Sequence, residues 1–295
     1  MRVLRAATLT VPDPAAALAC WAAWFDYRAV EHGIVAEDLA FAWGSPGMEG
    51  RPFTLARPAS GADVFLRFVA GETPAGYRPL RSFGWAAIEL CVQDVASLPA
   101  RLAGSPFEII GPPRPLDGMP SIIPMQVRGP HGEIVYLTEI RDDLPGIDMP
   151  RAACPVDRLF IAVLACADLG RSIEWFERTL ELRFGPETAI TYTMLNKAFD
   201  LPAGRKHRIA TGLDGRNCLV ELDQYPPQAT VRPRDAGALP PGVALVTLAV
   251  PSLDRIDGDW IRPPQQQAGM LYAGRRAGTL RAPDDTLVEL VEMQE

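Results

Sequence analysis

"GPHGEIVYLTEI" at residues 129–140 reads as a turn running into an apolar strand, and "APDDTLVELVEM" at residues 282–293 repeats it at the far end of the chain. Superposed, the two place Tyr136 where the second has Glu289. Two more apolar strands carry one lone polar residue in the same register, "VFLRFV" (64–69) and "CLVELD" (218–223), so that Arg67, Tyr136, Glu221 and Glu289 align. Four strands also precede these four. "RAATLTVPD" (5–13), "WAAIELCVQD" (85–94), "FIAVLACAD" (160–168) and "ALVTLAVPS" (244–252) each end on a residue suited to cap a helix: Asp13, Asp94, Asp168 and Ser252. After the first and third caps, Leu18, Trp21 and Phe25 fall at the same offsets as Ile173, Phe176 and Leu180, one face of an amphipathic helix. The caps are 94 − 13 = 81, 168 − 94 = 74 and 252 − 168 = 84 residues apart, which establishes a repeated unit.

Proline-rich connectors separate the units. "RDDLPGIDMPRAACPVD" (141–157) is the best candidate boundary and "YPPQATVRPRDAGALPPG" (225–242) divides units three and four. The expected organisation is two domains of two units each, residues 1–145 and 155–295.

A chain of 295 residues with 48% hydrophobic residues suits two such domains. Lys and Arg total 29 against 36 Asp and Glu, a net charge of −7, which disfavours nucleic acid as a partner. The basic start "MRVLRAATLTVPDP" has too short an apolar run for a signal or a membrane span, so a cytoplasmic protein without membrane partners is expected. Five scattered cysteines, with no CxxC pair, read as buried free thiols. Phosphate-loop, dinucleotide and nucleophile-elbow motifs are absent.

A fourfold β-α-β-β-β plan with these endings resembles the glyoxalase, bleomycin-resistance and extradiol-dioxygenase superfamily, the vicinal oxygen chelate proteins. The resemblance covers nearly the whole chain and is strongest in "CADLGRSIEWFERTLELRFG" (166–185) and the last strand. It implies an α+β fold in which the four units form two concave mixed-sheet domains. In chelating members it implies metal ligands seven residues before the turn cap and in the closing strand. The first-strand positions here are Ala6, Ala87, Ile161 and Leu245, none a ligand. Among the closing-strand positions Glu221 and Glu289 alone are carboxylates, and the two-histidine, one-carboxylate set of non-haem iron is missing. His32, His131 and His207 read as surface residues.

Strand alternation puts Glu89 on the face of Ala87 and Cys91, where the metal would have been. A carboxylate there needs a partner or a shifted pKa. Arg67 is the matching oddity of "VFLRFV". A buried Arg67–Glu89 ion pair is one reading. The other joins Glu89 as general base, Tyr136 as donor to a developing oxyanion, Arg67 as a clamp for a carboxylate, Thr8 as an added hydroxyl and Trp85 as an aromatic wall in one cavity. Glu221 and Glu289 are expected to face each other in the second domain.

The function expected is a small-molecule enzyme, an isomerase or lyase acting by proton transfer on an organic acid, aromatic-derived acids included, with no cofactor. The alternatives are a protein that sequesters a planar hydrophobic compound, or a lyase or dioxygenase-like enzyme using a divalent metal at Glu221 and Glu289. Either a monomer or a homodimer is compatible with the repeat.

Overall fold

The computed structural model describes residues 2–293. Four long strands open the units: Val3–Val11, Gly84–Val92, Val156–Cys166 and Gly242–Val250. Gly84–Val92 and Gly242–Val250 are buried at every position, as strands covered on both faces must be. Each unit's closing strand runs parallel beside its opening one. Phe65–Ala70, Ile134–Ile140, Asn217–Gln224 and Thr286–Glu292 pair so that Thr8, Glu89, Val163 and Thr247 lie next to Arg67, Tyr136, Glu221 and Glu289.

All four cap residues cap. Asp13 and Asp168 accept backbone N–H bonds at the heads of two twelve-residue helices, Pro14–Phe25 and Leu169–Leu180. Asp94 and Ser252 do the same for 3₁₀ turns, Val95–Ser97 and Leu253–Arg255. Unit two adds a helix of four residues, Leu98–Arg101, and unit four stops after one turn, before Gly258 and Pro263.

The strands form two sheets. One has eight strands and takes Val3–Val11 antiparallel to Gly242–Val250, with Ala7 opposite Val246, so it joins units one and four. The other has nine strands and takes Gly84–Val92 antiparallel to Val156–Cys166, with Ile88 opposite Ala162, so it joins units two and three. We call these the outer-pair and inner-pair sheets. The domain limits expected from sequence, 1–145 and 155–295, are therefore not the limits of the sheets. Residues 141–157 connect two units of the same sheet, and the crossings between sheets fall after Ala70 and after Gln224. Repetition identifies units without saying which edges meet, and the assumption that chain neighbours pair fails for half of them.

The helix-bearing faces of both sheets share one apolar core that includes Trp21, Phe25, Trp85, Phe107 and Phe176. Trp21 packs edge-on against Phe25, Tyr27 and Phe107. The concave face of each sheet carries its own apolar cluster. No helix among the described residues is long and apolar enough to cross a membrane.

Candidate functional site

The inner-pair sheet curls around a cavity of about 250 Å³, walled largely by apolar side chains. Glu89, at the middle of Gly84–Val92, and Tyr136, its neighbour in register, project into it together with Glu221 and Cys218 of Asn217–Gln224. Ile161 lies across the seam from Glu89. Leu144, Ile147 and Met149 close one side, so the connector expected to be a linker is part of the wall. Tyr192, which leads the helix Thr193–Ala198, covers another.

Each acid holds a hydroxyl donor. Thr138 donates to Glu89 Oε1, and Tyr192 donates to Glu221 Oε1 at 2.5 Å. Burial, and then the negative charge of Glu221, push the Glu89 carboxyl up to about 8 against the pull of the Thr138 bond. Burial also raises Glu221, whose bonds to Tyr192 and Asp223 act the other way. Asp223, two residues on and buried, is raised well above its usual range by burial, Glu221 and Glu89. The same surroundings keep the Cys218 thiol at about 12 and Tyr136 a neutral phenol. Among the described residues the Tyr136 hydroxyl has no hydrogen-bond partner, although the side chain is 4% exposed and lines the cavity. At neutral pH the site therefore offers the Glu89 carboxylic acid, the Glu221 carboxyl and an unengaged phenol in apolar surroundings, an arrangement that can move a proton.

Glu89 and Tyr136 thus meet as expected, and Glu221 joins them. Arg67 and Thr8 do not: they belong to the outer-pair sheet. There Arg67 pairs with Glu289 at 3.1 Å, and Thr8 accepts from Arg67 Nε at 2.9 Å. Glu289 accepts four hydrogen bonds, from Trp43 and Tyr272 on one oxygen and from Arg67 and Thr247 on the other. The Arg67 guanidinium also lies over the Trp43 ring, 4.5 Å from its centroid. Trp43, Leu245, Leu271 and Tyr272 are fully or nearly fully buried, so this concave face is packed solid around a satisfied ion pair. Glu221 and Glu289 consequently sit in different sheets rather than facing each other.

Trp85 is not an aromatic wall. A register shift between Trp85 and Ala87 turns the indole to the shared core, where its Nε1 donates to the Leu287 carbonyl at 2.8 Å. His207 is buried rather than exposed, with Nε2 2.7 Å from Asn196 Oδ1. Two residues that complete the site escaped the sequence reading. Thr138 shares Tyr136's face by strand alternation and was legible in principle. Tyr192 comes from an irregular stretch with no periodicity to aim it.

The resemblance implies ligand positions for a metal, and the donor set at those positions does not fit one. The four equivalent positions around the inner cavity hold Ala87, Ile161, Tyr136 and Glu221, and both glutamates are engaged by hydroxyl donors. In the outer sheet an arginine occupies one ligand position and, with Trp43, Tyr272 and Thr247, saturates the carboxylate at another. No group of three or more His, Cys, Asp or Glu side chains among the described residues is placed to hold an ion.

No family model matches the chain, and no curated protein matches it. Among solved structures, glyoxalase I from Zea mays superposes with a TM-score of 0.65 at 16% identity, covering 99% of this chain and 92% of that one. A putative dioxygenase from Bacillus subtilis gives 0.61 at 13% identity, covering 98% and 84%. These likenesses show the fold, which is that of glyoxalase I and of the dioxygenase-like protein.

Proposed function

We propose, with the glyoxalase fold as premise, that the inner-pair cavity binds a hydrophobic small molecule and moves a proton on it, as an isomerase or lyase does. Glu89 is the acid–base group, and Tyr136 donates to the oxygen on which charge develops. The observation that carries this reading is the meeting of a buried carboxylic acid with an unengaged phenol at the wall of an apolar cavity. A pKa near 8 keeps Glu89 protonated at neutral pH, ready to give a proton to a leaving group or enolate, and within reach of the ionised form that accepts one.

The reading is metal-independent, which the poor donor set supports. It no longer includes a clamp for an organic acid, because the guanidinium invoked for that purpose is locked to Glu289. The test is exchange of a bound ligand's C–H hydrogens in D₂O, read by mass spectrometry across a panel of hydrophobic carbonyl compounds. Glu89→Gln should slow exchange by about 10²–10⁴-fold without loss of the fold. Unchanged exchange in the variant would remove Glu89 from this role. The apolar wall equally suits simple sequestration, which is the outcome if ligands bind and leave with no exchange at all.

A further inference from the structure

The charge of the guest follows from what surrounds the two carboxyls, and it rests on the small-molecule reading above. No Lys, Arg or His among the described residues lines the inner cavity. Glu89 is faced by Glu221 from the neighbouring unit, by Tyr136 and Thr138 from its own closing strand, and by Cys218, with Asp223 behind. Arg114 and Lys197 belong to the adjoining outer groove, where Arg114 is paired with Asp117. An anionic guest would meet acids and no cation.

The rings of Tyr136 and Tyr192 stand beside these acids, with centroids 6.4 Å apart and planes tilted by 52°. Two aromatic rings close to carboxyls, in a place shielded from water, make a favourable surrounding for an ammonium, which can gain a ring quadrupole and a counter-ion together. The Tyr136 side chain is buried, and its hydroxyl, which no protein group engages among the described residues, is free to meet a guest in the same place. The remaining wall, including Leu116, Ile147, Met149 and Ile209, offers nothing to a hydrated metal ion and suits a hydrocarbon body.

We propose that the cavity selects a hydrophobic cation, an alkyl or arylalkyl ammonium whose head lies among Glu89, Glu221 and the two tyrosine rings. Its arrival favours the ionised form of Glu89, and the displaced proton passes to solvent. The cation thereby creates the base where it is needed, next to the carbon bearing the nitrogen. A neutral guest of the same shape leaves the acid protonated.

Calorimetric titration of the full chain at pH 7 with 4-phenylbutylamine, 4-phenylbutan-1-ol and 4-phenylbutyrate tests this. The amine should bind at least tenfold more tightly than the alcohol, and the butyrate more weakly than either. Repeating the amine titration in phosphate and Tris, whose ionisation heats differ, should show release of nearly one proton. Glu89→Gln, checked for folding by circular dichroism, should lose the amine's advantage and the proton release together. Equal binding of amine and alcohol, tighter binding of butyrate, or absence of proton release would overturn the charge inference and leave the small-molecule reading standing. If none of the three binds, both fall.

Discussion

Arg67 and Glu89, both charged residues in otherwise apolar strands, looked like partners and are not. A buried charge needs compensation, since leaving it unpaired is expensive, but the register of one strand does not disclose which sheet it joins. Arg67 finds Glu289, and Glu89 remains a protonated acid beside a cavity. Arg67→Met should thus destabilise the fold by about 3–5 kcal/mol in urea unfolding, because it leaves Glu289 buried without its cation. Adding Glu289→Leu should restore much of that loss, and ligand binding in the inner cavity should be unaffected by either change. A second buried acid gives a pH signature. Glu133, in the hairpin turn, is raised to about 7 by burial against its bonds from the turn backbone, with the Trp21 indole, Cys20 and the half-buried His131 alongside. The folded state holds this proton more tightly than the unfolded chain, so no penalty exists below about pH 4.5 and stability falls as pH rises through 7. Glu133→Gln should leave stability at pH 4 unchanged and raise it at pH 8 by about 2–3 kcal/mol, measured by denaturant melts.

At the level of elements, the caps and the strands were readable because their signals are local. Asp13→Ala should lower stability by about 1 kcal/mol, since it removes bonds to Ala15 N and Ala16 N at the head of a full helix. Asp94→Ala should cost less by the same thermal melt, because only a 3₁₀ turn and one short helix depend on it. The helix expected after Asp94 and Ser252 shrinks for reasons of composition: Pro99 sits in the first turn of Leu98–Arg101 and Gly104 follows its end, while Gly258 and Pro263 follow the second. Trp85 shows what alternation misses, for one irregular step in a strand reverses every assignment before it. The twin turns also differ in how they bend. "GPHG" relies on Gly132 at φ 86°, whereas "APDD" holds Asp284 and Asp285 at φ 59° each, a conformation aspartate tolerates better than most side chains.

For the whole molecule, the repeat spacing revealed four units, and only the hydrogen-bonded seams reveal that units two and three are nested between units one and four. A fragment of residues 1–145 accordingly holds one unit from each sheet and neither seam. It should not form a folded monomer, and a dispersed amide NMR spectrum from monomeric fragment would contradict the topology. The full chain should unfold in one transition, because the two sheets share a core and Trp85 of one bonds to Leu287 of the other. The nesting also dictates an order of events during synthesis. Leu9 meets Val243 across the outer seam, 243 − 9 = 234 residues later, whereas Ile88 waits only 162 − 88 = 74 residues for Ala162. The half that carries the inner cavity is thus complete on the ribosome while the first unit is still waiting for its mate, an orphan edge that a nascent-chain chaperone would be the first to meet.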